Sequence, residues 1–288
     1  MTEDIQQYLD HIMQERNLHG LLDFEGYSPL EMRYILYDTF GEFSPLHLQK
    51  LSDRDYKNIP LLNQIKYLAA LVLKNGEIKL TPHGYLPLKI VADIYSQGFI
   101  KDEFIELGIS KLYRESDLMV VNLTHMLAKL AGIIKTRYGK LSMTKTGEKI
   151  ITDDYKLLKL LLETFGFRFN WAYYDGYENE NIGPLGFGFS MILLSKYGRT
   201  QHLDTFYAEK YLKAFPQFLH ESVEPKYGTN KNNIEHCYSI RTFDRFLNYF
   251  GLIKIENNRE SPFEKHITKT ELYDKLIKCI PHKEDHVQ

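Results

Sequence analysis

Between residues 129 and 149, six lysine and arginine side chains stand against a single carboxylate, Glu148. Four of them, Lys135, Arg137, Lys140 and Lys145, bracket a turn at Arg137-Tyr138-Gly139-Lys140. The turn separates Ile133-Ile134-Lys135 from Leu141-Ser142-Met143-Thr144, two short runs that read as strands. A hairpin of this kind can lay cations along a phosphate backbone, each neutralised phosphate adding about one unit to the salt dependence of binding. The apolar-periodic stretch ahead of it, residues 118–130, predicts a helix carrying Asn122, His125 and Lys129, which suit base edges or phosphates. The expected nucleic-acid-binding set is therefore Asn122, His125, Lys129, Lys135, Arg137, Lys140 and Lys145. A solvated hairpin with ordinary surface lysines would carry the same residues, and hairpins of this type also dock proteins.

Other constellations offer less. Arg241, Arg245, Asn248, Lys254, Arg259 and Lys265 are interleaved with Asp244, Glu256, Glu260 and Glu264, which reads as a self-compensated exposed face. The glycines of Gly183-Pro184-Leu185-Gly186-Phe187-Gly188 match no phosphate-loop spacing and read as a loop-to-helix junction packed closely. Cys279 and His282 make half a zinc site, which His236, Cys237 or His286 would have to complete by tertiary contact; no metal is expected. Asp175, Glu178 and Glu180 lie in a polar stretch and read as a solvated loop. The aromatic run Phe165, Phe167, Phe169, Trp171, Tyr173 and Tyr174 could stack bases, but its near-alternate spacing suits half-buried core or an interface. No nucleophile, dyad or zinc-protease signature occurs, so catalytic residues and cofactors are not expected, and the chain reads as a non-enzyme.

The elements that must position the basic turn recur along the chain. Residues 61–73 predict a helix stopped at Asn75-Gly76, followed by a strand at 77–81 and a helix at 86–95. Residues 242–250 predict another helix, followed by Gly251-Leu252-Ile253-Lys254, a longer turn, and His266-Ile267-Thr268-Lys269-Thr270. Thr81, Thr144 and Thr268 lie 63 and 124 residues apart, the second spacing about twice the first, with Thr144-Lys145-Thr146 falling on Thr268-Lys269-Thr270 and a divergent unit expected near residue 205. Nearer the start, a helix is expected over 2–16. A second helix should open at Ser28-Pro29-Leu30-Glu31, where Ser28 and Glu31 form a capping box.

Composition bounds the rest. A chain of 288 residues with 43% apolar and 26% charged side chains is that of a folded protein with more than one core. The net charge of −2 argues against a whole-surface grip on nucleic acid and leaves the local patch to act alone. Two cysteines exclude a disulfide framework, no apolar run reaches membrane-span length, and a cytoplasmic setting is the default expectation.

The segments Gly26-Tyr27-Ser28-Pro29-Leu30-Glu31-Met32 and Lys79-Leu80-Thr81-Pro82-His83-Gly84-Tyr85-Leu86-Pro87 resemble a stretch of poorly characterised bacterial proteins. In those it accompanies a plasmid open-reading-frame-three-like domain or a cysteine-rich SEC-C zinc motif. Neither companion is evident here. The resemblance covers the first third of the chain, implies a bacterial, mobile-element-associated origin, and lends no catalytic residues.

The expected fold is thus mainly α with short β hairpins, as tandem winged-helix-like units around a helical middle. The expected divisions are an N-terminal helical module (1–100), a winged-helix-like unit (101–152), a helical middle (153–222) and a second winged-helix-like unit (223–288). The expected function is a non-enzymatic DNA-binding or regulatory protein using the basic hairpin. The alternative is a protein-interaction scaffold or homo-oligomer without nucleic acid; no membrane partner is expected.

Overall fold

A computed structural model of the chain describes residues 8, 12–13, 16–220, 229–257 and 264–283. Most of the expected opening helix, together with Arg259, Glu260 and His286, lies outside them. The described part is mainly helical with small antiparallel sheets. In chain order the principal elements begin with α1 (Pro29–Tyr37), β1 (Leu46–Leu48), α2 (Pro60–Asn75), β2 (Ile78–Lys79) and α3 (Leu88–Ser96). Next come α4 (Met119–Leu130), β3 (Ile134–Arg137), β4 (Lys140–Met143), α5 (Lys145–Ile150) and α6 (Asp154–Phe167). The remainder holds α7 (Phe187–Tyr197), β5 (His202–Leu203), α8 (Asp204–Ala214) and α9 (Asn230–Ser239), which continues as a π-helical stretch, Ile240–Leu247. Then follow β6 (Ile253–Asn257), β7 (Lys265–Lys269), α10 (Glu271–Leu276) and β8 (Ile277–Cys279). No described helix is long and apolar enough to cross a membrane.

Two compact units divide the chain: unit I is Lys50–Gly176 with Tyr249–Gly251, and unit II is Met1–Gln49, Tyr177–Asn248 and Leu252–Gln288. The expected boundaries at 100, 152 and 222 are corrected. Strand β2 pairs with β4 across the first of them and β5 with β7 across the third. Helix α6 packs on α4 and α5 across the second. Strand pairing and helix burial tie together segments that a reading of local composition separates.

In unit I, α2 buries Leu61, Ile65, Leu68 and Val72 at helical spacing, and Gly76 at φ +71 ends it, as the Asn75-Gly76 pair predicts. The buried Gln64 donates to the Val120 carbonyl at 3.0 Å and to the Thr124 hydroxyl at 2.7 Å, joining α2 to α4. The order is helix, short strand, helix, helix, hairpin, short helix, and the sheet runs β2-β4-β3.

Unit II has the same order, α7, β5, α8, α9, β6, β7 and α10, and its sheet runs β5-β7-β6. Here β8 also pairs with β1, placing Leu46 opposite Cys279. The Ser28–Glu31 capping box opens α1, with Pro29 in its first turn. The glycine-rich segment is a helix start: Gly186 occupies the left-handed N-cap of α7, and Gly188 lets that helix close on Ile35 and Thr39 of the α1 region.

The two units repeat each other in a register different from the expected one. Thr144 caps α5 by accepting from the Gly147 amide while its own amide donates to the Ile133 carbonyl. Thr270 does the same, accepting from Tyr273 and donating to the Leu252 carbonyl. Gly132 and Gly251 share φ +70 ahead of the two hairpins. Thr270, not Thr268, is therefore the counterpart of Thr144. Thr81 and Thr144 belong to one unit, and Thr205, two residues past β5 as Thr81 is two past β2, is the counterpart of Thr81. The threonine spacing reflected a single doubled unit, not a series of shorter ones.

Candidate nucleic-acid interface

The basic hairpin of unit I is built by a sharp exit from α4. Gly132 adopts a left-handed backbone, its amide donates to the Lys129 carbonyl, and the Ile133 amide donates to Ala128. Ile133 is then buried, and alternation places Ile134, Leu141 and Met143 inward. Register does the rest, because residues directly opposite each other in a sheet share a face. Lys135 lies opposite Ser142, Arg137 opposite Lys140, and Lys140 opposite Lys79 of β2. Arg137, Lys140 and Lys79 thus form one row of cations across three adjacent strands, all exposed, with Lys135 on the same face. Glu77 is the carboxylate set against this row: it accepts from Lys140 at 2.7 Å, both side chains being about half exposed. Lys129 and Lys145 are also exposed, at the end of α4 and the start of α5.

The hairpin closes on Tyr138-Gly139, with φ +49 and +69 at the two loop positions. The Tyr138 ring is 87% exposed, and the Arg137 guanidinium sits 5.0 Å from its centroid.

Asn122 and His125 belong elsewhere, and their expected role is corrected. Helix α4 packs against α2, α3 and α6, and nearly all of its circumference is buried. Asn122 and His125 face Glu115, which is fully buried. The carboxylate accepts from the Asn122 amide at 2.8 Å, faces His125 Nδ1 at 2.9 Å, and also accepts the Leu86 backbone N–H. Tyr174 donates to Asn122 Oδ1 at 2.6 Å. His125 Nε2 is buried without a hydrogen-bond partner. These side chains form an internal polar network and are not offered to a groove. Of the expected set, the structure gathers Lys135, Arg137 and Lys140 on one face and adds Lys79, which sequence reasoning missed. The alternation at 77–81 signalled a strand, but nothing local told which strand it joins.

The remaining constellations resolve into packing. Arg241 is fully buried and donates to the carbonyls of Asn179 and Ile182 at 2.7 and 3.0 Å, pinning the loop ahead of α7 rather than lying on an exposed face. Lys265 is held by Asp244 at 2.5 Å. On the outer face of the unit II hairpin, Lys254 shares its face with Glu256, which accepts from Gln201 at 2.9 Å. Phe165, Phe169 and Trp171 are core, the indole donating to the Phe165 carbonyl at 2.8 Å.

Unit II holds a pocket of about 630 Å³ lined by Glu25, Tyr27, Ser195, Lys196, Cys279 and His282, among others. Its charges are engaged with one another or with neighbours: Glu25 accepts from Lys196, Lys210 and Tyr197, and His282 Nδ1 lies 2.7 Å from Glu31. Burial raises the Cys279 thiol above its ordinary value, which opposes nucleophilic use. Among the described residues no three potential metal ligands come together. Searches of protein-family models, curated proteins and solved structures return no match to this chain.

Proposed function

We propose that unit I is a winged-helix-like module that binds nucleic acid through the outer face of its hairpin sheet, in a cytosolic, non-enzymatic DNA-binding or regulatory protein. One observation carries the reading: Lys79, Lys140 and Arg137 stand in register on neighbouring strands with Lys135 beside them. Like charges directly opposite one another destabilise a sheet, and a phosphate backbone laid across the row removes that repulsion. The winged-helix likeness draws on the element order and on the first short strand pairing with the second hairpin strand, in unit I and again in unit II. The burial of α4 argues for contact by the sheet and hairpin and against a helix laid in a groove. Binding of this kind is led by phosphate contacts and tolerant of sequence.

The test is charge reversal of Lys135, Arg137 and Lys140 together, followed by fluorescence anisotropy with labelled duplex DNA at low salt. The variant is expected to lose most of the binding. Retention equal to that of the unaltered chain overturns the reading.

A protein-docking role is the second reading. It is favoured by Phe104, Leu107, Ile109 and Tyr113, four side chains of one short segment of unit I that are each 60–68% exposed. Light scattering that finds a DNA-indifferent oligomer would favour it.

A further inference from the structure

Tyr138 occupies a position that its own chemistry disfavours. A two-residue hairpin loop with both residues at positive φ is the tight turn that matches strand twist, and its first position favours Asn, Asp or Gly. An aromatic L-residue held at φ +49 is strained by about 1 kcal/mol against those alternatives. Packing does not compensate, because the ring is 87% exposed. The guanidinium of Arg137 over the ring contributes little at such an exposed site, and it requires no left-handed backbone. A strained, bulky and unburied residue at the tip of the basic hairpin needs an account outside the folded chain.

Position supplies one. Tyr138 sits in the turn between Arg137 and Lys140, the cation at the hairpin end of the row and its neighbour on β4. An aromatic ring beside phosphate-binding cations is the pairing used to hold single-stranded nucleic acid, where base stacking is sequence-tolerant because every base presents a π-face. Inside an uninterrupted duplex both faces of each base are already covered by its neighbours. A ring at a hairpin tip can stack only on a face left open, as in a single strand or at the junction of a strand with a duplex.

We propose that Tyr138 is a stacking platform for an unpaired nucleobase, so that the basic face of unit I prefers DNA with a single-stranded segment over continuous duplex. This rests on the nucleic-acid reading above. The Arg137 guanidinium and the Lys140 ammonium hold the phosphates adjoining the stacked base, and Lys79 and Lys135 continue the track along the sheet.

The experiment uses the full chain and three labelled probes: a blunt duplex, the same duplex with a single-stranded tail carrying 2-aminopurine, and the tail alone. Tyr138→Ala is expected to weaken binding of the tail and the tailed duplex roughly tenfold, with the blunt duplex little changed. Tyr138→Phe should retain the preference, and 2-aminopurine fluorescence should be quenched by the unaltered protein and not by Tyr138→Ala. Tyr138→Asn restores a favoured turn residue and should raise the melting temperature while losing the preference for the tail. Equal affinities of the Tyr138 variants and the unaltered protein for all three probes overturn the proposal. If Tyr138→Ala is silent while reversal of Lys79, Arg137 and Lys140 abolishes binding, the stacking inference fails and the basic-face reading stands. If the unaltered chain binds none of the probes, both fail.

Discussion

Lys79 and Lys140 stand directly opposite each other across β2 and β4, two like charges at neighbouring positions on one exposed sheet face. Arg137 extends the row on the other side of Lys140. The exposed ion pair from Glu77 to Lys140 offsets the repulsion only weakly, since such pairs contribute about 0–1 kcal/mol. In the matching hairpin of unit II, Lys254 has Glu256 close by on the same face. Lys79, Lys135, Arg137 and Lys140 against Glu77 leave this face of unit I with a net positive charge.

Removing Glu115 tests the burial of α4. Glu115→Ala leaves the Leu86 amide, the Asn122 side chain and His125 without their acceptor in a dry interior. The expected loss is about 3–5 kcal/mol, read from urea unfolding. A change within experimental error would mean that this network is solvated and that α4 is more open to water than its burial implies.

The acid limb of stability depends on Glu25. Burial alone would raise its pKa, but hydrogen bonds from Lys196, Lys210 and Tyr197 outweigh it and hold the carboxyl below its ordinary value of 4.5. A carboxyl with a depressed folded pKa contributes stability that is fully present above the unfolded value and is lost as pH falls through the folded one. Urea midpoints of the unaltered protein and Glu25→Gln should therefore differ by a constant amount at neutral pH, and the gap should close below pH 4.5. A gap that widens on acidification contradicts the assignment.

Close packing at the start of α7 predicts the outcome of a small change. A Cβ at Gly188 would lie 2.6 Å from Thr39 Cγ2 and 2.9 Å from the Ile35 carbonyl oxygen. Gly188→Ala is expected to destabilise by about 1–3 kcal/mol in thermal melts, despite the better helix propensity of alanine. A rise in melting temperature would show that α1 shifts without cost.

Local chemistry was legible in the sequence where neighbours in the chain decide it. The Ser28–Glu31 box, the stop at Gly76 and the Arg137–Lys140 turn all depend on residues within a few positions of one another. The pairing of β2 with β4 and of β1 with β8 was not legible, because short strands carry too little pattern to name a partner far along the chain. Asn122 and His125 misled for a related reason. They share a helical stripe with Leu118 and Val121, which pointed inward, but polar side chains on such a stripe invite a functional reading until a buried partner like Glu115 is known. The threonine spacing misled because Thr268 lies two residues from the true cap, Thr270, in a strand of alternating faces.

The central claim, that cations from three strands act as one phosphate-binding row, is tested most directly by the salt dependence of duplex DNA binding. Lys79→Gln, Arg137→Gln and Lys140→Gln combined should lower the slope of log affinity against log salt by about 2–3 units, close to 0.9 for each phosphate that is no longer neutralised. Lys79→Gln alone should lower it by about one, and Lys254→Gln in unit II should leave it unchanged. A slope unaltered by the triple substitution, or lowered as much by Lys254→Gln, would contradict the account.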